Sequence, residues 1–96
     1  MRPVVWTALA RQDLREQVAC IAADSPRAAA RVRDRVDEVA QNLSQFATGR
    51  RGRVAGTYEQ VVTDLPYFIV YRIRRIEGVE SVRILHLVHT SRKWPQ

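Results

Sequence analysis

Residues 67–74 read YFIVYRIR, and residues 82–89 read VRILHLVH. Runs this rich in β-branched and aromatic side chains favour extended backbone, and Glu77-Gly78 between them supplies a hairpin turn. The pair predicts two adjacent antiparallel strands inside a sheet. Strict alternation puts Tyr67, Ile69, Tyr71 and Ile73 on one face of the first strand, and Phe68, Val70, Arg72 and Arg74 on the other. In the second strand it opposes Val82, Ile84, His86 and Val88 to Arg83, Leu85, Leu87 and His89. Both faces are therefore partly apolar, whereas a strand with one solvated face alternates cleanly between apolar and polar. Two readings follow. Apolar sheet surface is left for another chain to cover, or the tail Thr90–Gln96, with Trp94 and Pro95, folds over it.

Working outward, Glu59–Thr63 reads as a third, shorter strand, joined to the first by a turn at Asp64-Leu65-Pro66. Ahead of it, Thr48-Gly49-Arg50-Arg51-Gly52-Arg53 breaks a helical period. Two helices precede that break. Thr7 is an N-cap for a helix from Ala8 to about Ala23, whose Leu14, Val18, Ile21 and Ala22 share one face. Asp24-Ser25-Pro26 ends it and starts a second helix from Pro26 to about Phe46, with Ser25 as cap and Pro26 in the first turn. Val32, Val36, Val39, Ala40 and Leu43 form its apolar stripe. So short a connection predicts an antiparallel helical hairpin. Pro3–Trp6 reads as a strand at the head of the chain. The order β-α-α-β-β-β predicts an α+β domain over residues 1–96, its helical hairpin packed on one face of a mainly antiparallel four-stranded sheet.

Composition narrows the function. The chain has 96 residues, 46% apolar and 27% charged, which is globular rather than disordered. Its longest uncharged apolar stretch, Leu65–Tyr71, is far short of the ~20 residues of a membrane span. The N-terminus lacks a signal-peptide layout, and a single cysteine, Cys20, makes no internal disulfide, so a cytoplasmic protein is expected. Cys20, beside the first helix's stripe, reads as a small core residue. No metal or cofactor is implied by two histidines and one cysteine without a phosphate loop.

Charge is the stronger signal. Basic residues number 16, of which only Lys93 is a lysine, against 10 acidic ones, for a net charge of +6. Residues 1–46 carry seven basic and six acidic side chains, residues 47–96 nine and four, so the excess sits in the second half. Such a footprint suits polyanions or an acidic protein partner. Arg50, Arg51 and Arg53, set between glycines, suit backbone approach to a phosphate chain. His89 closes the last strand just ahead of Arg92 and Lys93, where its imidazole could act as general acid or base in phosphodiester cleavage. His86, mid-strand, reads as a packed histidine, and Glu59 as the ion-pair partner of a nearby arginine.

Several blocks carry a family resemblance. Trp6-Thr7, Ala10 and Asp13-Leu14 stand at the head, Asp24-Ser25-Pro26 and Ala28-Ala29 at the hairpin. GRRGRVAGTYEQVV (49–62), PYFIVYRI (66–73) and VRILHLVHTSRKWP (82–95) follow in order. Together they span essentially the whole chain and resemble the RelE/ParE superfamily of toxins from bacterial type II toxin–antitoxin modules. The resemblance implies a toxin that arrests growth and is silenced by a cognate antitoxin in a hetero-oligomer. That antitoxin would be short and acidic and would fold on binding, covering the apolar strand face at Phe68, Val70, Leu85 and Leu87. It also implies one of two targets. RelE-like members cleave mRNA on the ribosome; here that chemistry would fall to His89, Arg92, Arg72 and Arg53. ParE-like members lack that set and poison DNA gyrase. Phe68 stands where RelE-like nucleases commonly carry an arginine before the L/I-V-Y of the central strand, and the closing Tyr or His-Tyr has no clear counterpart. Both departures favour the ParE-like reading. Target or nucleic-acid contacts are then expected from Arg50, Arg51, Arg53, Arg72, Arg83, His89, Arg92 and Trp94.

Overall fold

A computed structural model describes residues 1–96. In chain order the elements are β1 (Val4–Trp6), α1 (Ala8–Asp24), α2 (Pro26–Asn42), β2 (Arg50–Arg51), β3 (Tyr58–Val62), β4 (Tyr67–Ile76) and β5 (Val79–His89). The strands form one sheet in the order β1-β5-β4-β3-β2. The architecture is the expected α+β one, with differences in strand number and ends. Arg50–Arg51 pairs antiparallel with β3 as a fifth, two-residue strand, so the sheet has five strands rather than four. The central hairpin is longer than its apolar runs suggest, because Arg75 faces Glu80 and Ile76 faces Val79 across the turn. The second helix ends at Asn42 instead of Phe46, leaving Phe46 exposed.

Local chemistry explains the helix boundaries. The Thr7 hydroxyl accepts from Ala10 N–H at 3.2 Å and donates to Ile84 C=O at 2.8 Å, so one side chain caps α1 and ties it to β5. Ser25 serves both helices: its N–H donates to Ile21 C=O at 2.9 Å and its Oγ accepts from Ala28 N–H at 3.1 Å. α2 supplies Val32, Val36, Val39 and Ala40 to the main core, with Leu43 just beyond its end, over Val62, Tyr67, Ile69 and Tyr71. α1 contributes only Ala10 in full, with Leu14 and Ile21 partly buried. Cys20 is exposed, against its expected place in the core, because α1 turns that side to solvent.

Two topological facts shape the far face of the sheet, the one without helices. β1 pairs with β5 in parallel, but only from Val82 to Ile84. Past Ile84 the outer edge of β5 has no strand neighbour, and the Asp13 carboxylate of α1 accepts Leu87 N–H there at 3.1 Å. The β4–β5 register also slips: Tyr71 faces Ile84 and Val70 faces His86, so Leu85 is an extra, unpaired residue. A bulge of one residue reverses the alternation beyond it. Val82 and Ile84 face the helices as expected, yet so does Leu87, while Val88 packs on the far face with Phe68 and Val70. The expected grouping of Leu87 with Phe68 and Val70 is therefore corrected, and Leu85, the bulged residue, belongs to neither buried cluster.

Candidate functional site

The far face carries an apolar cluster at one end and a cationic one at the other, with an ion-pair hub beside the first. The hub is Glu59, 2% exposed on β3. Its carboxylate accepts Arg53 N–H at 2.9 Å and an Arg50 guanidinium N–H at 3.2 Å, and the Arg53 guanidinium lies 3.6 Å away. Burial alone would raise its pKa. The Arg53 backbone bond, the Arg50 bond and the two positive charges outweigh that and hold the carboxyl below its ordinary range.

The glycines of this loop serve packing. Gly49 N–H donates to the Tyr71 hydroxyl at 3.1 Å, and Gly52 N–H donates to Thr57 C=O at 2.8 Å. A Cβ on Gly52 would collide with the Thr57 hydroxyl, and one on Gly49 would sit 2.9 Å from Glu59 C=O and from Tyr71. With the N–H groups of Gly49, Gly52 and Arg53 all engaged inside the molecule, the loop does not present a backbone cradle to a phosphate, contrary to the expectation from its spacing. Arg51 is the arginine of the loop that makes no ion pair and stands exposed.

Arg53 links this hub to the tail. Its guanidinium carbon lies 5.4 Å from the Phe68 ring centroid, and its Nη1 donates to Trp94 C=O at 3.1 Å. The Trp94 ring packs against Phe68, Val70 and Val88, with the His86 ring centroid 5.1 Å from its own. Phe68 and Val70 are thereby 5% and 0% exposed. Of the two readings of the apolar face, cover by the chain's own tail is the one the structure contains. The indole N–H of Trp94 is buried without an acceptor.

His89 lies apart from this face, and His86 stands at its edge. His89 opposes Tyr67 on the helix side, ring centroids 5.2 Å apart, and its Nδ1 accepts from Ser91 N–H at 3.1 Å with Ser91 Oγ at 2.7 Å. His86 Nδ1 is 3.1 Å from Asp13 Oδ2, so it is tethered to α1 at the strand edge. A cleft of about 420 Å³ at this edge is lined by Asp13, His86, His89, Arg92, Lys93 and Trp94, among others. It gathers His89 and Arg92. Arg53 and Arg72 are not among its lining residues; they lie on the far face of the sheet, Arg53 over Phe68 and Arg72 two positions beyond Val70. The four side chains named for phosphodiester cleavage thus do not converge. Arg72 and Arg83, by contrast, are direct cross-strand partners. Asp13 is the site residue that residue-type reasoning passed over. A lone helical aspartate gives no signal of a partner more than 70 residues away.

Two packed helices on this mixed five-stranded sheet, with an arginine-rich loop, give the architecture expected of the RelE/ParE superfamily. A family model described as "ParE toxin of type II toxin-antitoxin system, parDE" matches residues 4–94. The chain belongs to the ParE toxin family. It is 42% identical over 92 residues to a Sinorhizobium fredii protein named "Putative toxin Y4kP", an alignment covering 95% of this chain and 91% of that one. Among solved structures it is similar to one titled chromosomal ParDE TA system from P. aeruginosa (TM-score 0.81, 22% identity, 93% of this chain and 96% of the other). It is also similar in fold to a YoeB/ParE toxin from Agrobacterium tumefaciens (TM-score 0.62, 15% identity, 91% and 97% coverage). No helix is long and apolar enough to cross a membrane.

Proposed function

We propose that this toxin acts in the cytoplasm by inhibiting DNA gyrase through a protein–protein contact, and that a cognate antitoxin silences it. The observation that supports gyrase over mRNA is the separation of the candidate catalytic groups. Metal-independent cleavage of RNA needs an acid or base and cationic donors around one phosphate. Here His89 is on the helix side against Tyr67, while Arg53 is committed to Glu59 and Phe68 on the far face. Phe68, where an arginine would serve the nuclease chemistry, is a packed core residue under Trp94. The antitoxin assignment rests on family membership and on the relative described as part of a ParDE system. An acidic segment is complementary to a chain of net charge +6.

The test is a supercoiling assay with purified toxin and gyrase. Loss of supercoiling with accumulation of cleaved DNA–gyrase complexes is expected. Unimpaired supercoiling at large molar excess of toxin, together with cuts inside translated codons by primer extension that disappear in His89→Ala, would move the target to mRNA.

A further inference from the structure

Toward the β4–β5 turn the far face carries three arginines, followed at the turn by the exposed pair Ile76 and Val79. Arg72 and Arg83 stand directly opposite each other on β4 and β5. Arg74 follows on the same face of β4, roughly 6.6 Å along at 3.3 Å per residue, and its own cross-strand neighbour is Ser81. None of the three has a carboxylate within 4.0 Å; the ion pairs of the molecule involve Arg2, Arg33, Arg35, Arg50, Arg53, Arg75 and His86. Glu80, on the same hairpin, is taken by Arg2 and Arg75. Like charges directly opposite across two strands oppose folding, so packing alone gives no reason for this pair. The ground beside it is open. β3 begins at Tyr58, opposite Tyr71, and the chain before it turns at Gly56 with φ +80°. A Cβ at Gly56 would be 3.9 Å from Arg72 Nη2, and glycine leaves that space vacant.

We propose that Arg72, Arg74 and Arg83 form a seat for the phosphodiester backbone of a nucleic acid. Planar guanidinium forks match phosphate oxygens. A pair across the strands with a third arginine one pleat further on provides consecutive contacts along a strand of phosphates. An acidic polypeptide is the competing ligand, and the surroundings disfavour it. A segment that folds on docking needs apolar anchors interspersed with its charges, whereas Ser81 and Gly56 flank the arginines, and the exposed apolar pair nearest them, Ile76 and Val79, lies beyond Arg74 at the turn. The seat adds to the gyrase reading without depending on it, since the toxin alone is what binds.

Fluorescence anisotropy of the purified toxin with a short duplex DNA, a single-stranded RNA of equal phosphate number and a polyglutamate peptide, each across a salt series, tests the seat. Arg72→Gln/Arg83→Gln should flatten the plot of log affinity against log salt for the nucleic acid by about 1.4–1.8, at 0.7–0.9 per phosphate contact. Its Tm should be equal or higher, because the like-charge pair is gone. Arg74→Gln, an exposed position, should lower the slope by about 1 and serves if the double variant folds poorly. Arg27→Gln/Arg31→Gln, two exposed arginines of α2, removes the same charge and should leave the slope near the wild-type value. Whichever of DNA and RNA binds tighter identifies the source of the phosphates. The proposal falls if the sheet variants bind both nucleic acids as the wild type does. It also falls if the α2 variant loses as much, or if polyglutamate is the ligand whose binding is lost.

Discussion

Glu59 is the residue on which the loop, the strand and the tail depend together. It neutralises two of the loop's three arginines, and one of those, Arg53, reaches over Phe68 to the Trp94 carbonyl. Glu59→Gln keeps the shape but loses the charge in these bonds, and a destabilisation of about 2 kcal/mol is expected in urea denaturation, within the range for hydrogen bonds to charged groups. The pH dependence has a definite sign. The folded-state pKa of Glu59 lies below its unfolded value of about 4.3. Its stabilising contribution is therefore complete above that value and vanishes as pH falls through the lower, folded pKa. The wild type should thus lose more Tm than Glu59→Gln between neutral and strongly acidic pH, read by thermal melts of both proteins.

At the scale of elements, Ser25 and the β5 bulge matter most. Ser25 ends one helix and begins the next with no intervening residue, so Ser25→Ala should cost about 1 kcal/mol from the lost N-cap. In a domain of this size that corresponds to a fall in Tm of about 4–8 °C by calorimetry. The bulge at Leu85 decides which side chains share a face. Without it Leu87 would stand on the far side and Val88 under the helices, the reverse of what the packing contains. Bulges of one residue leave no mark in an apolar run such as VRILHLVH, where neighbours on both sides are apolar. Alternation was legible in that strand only up to Ile84.

Across the whole molecule, the tail is a strap. Trp94 closes the apolar end of the far face, while its indole N–H is buried without a partner. Trp94→Ala should expose Phe68, Val70 and Val88, raising binding of an apolar dye and lowering stability by about 2 kcal/mol, less than for a fully buried tryptophan. Trp94→Phe keeps an aromatic ring and removes the orphaned donor, so it should be close to neutral. With the strap in place, what the far face offers a polyanion is the unpaired guanidinium end at Arg72, Arg74 and Arg83. The charge asymmetry read from the second half of the chain is thus divided in three dimensions between internal ion pairs and a free patch.

The sequence by itself determined the helical hairpin, its caps, the central strands and the basic second half, because each rests on local period, capping chemistry or a count. The ordered blocks also pointed to the superfamily. Tertiary structure alone decided the register slip at Leu85, the burial of Phe68 and Val70 under Trp94, the contacts of Asp13 with His86 and Leu87, and the opposite faces of His89 and Arg53. Those facts depend on which segments, dozens of residues apart, come to lie side by side, and no local pattern encodes that.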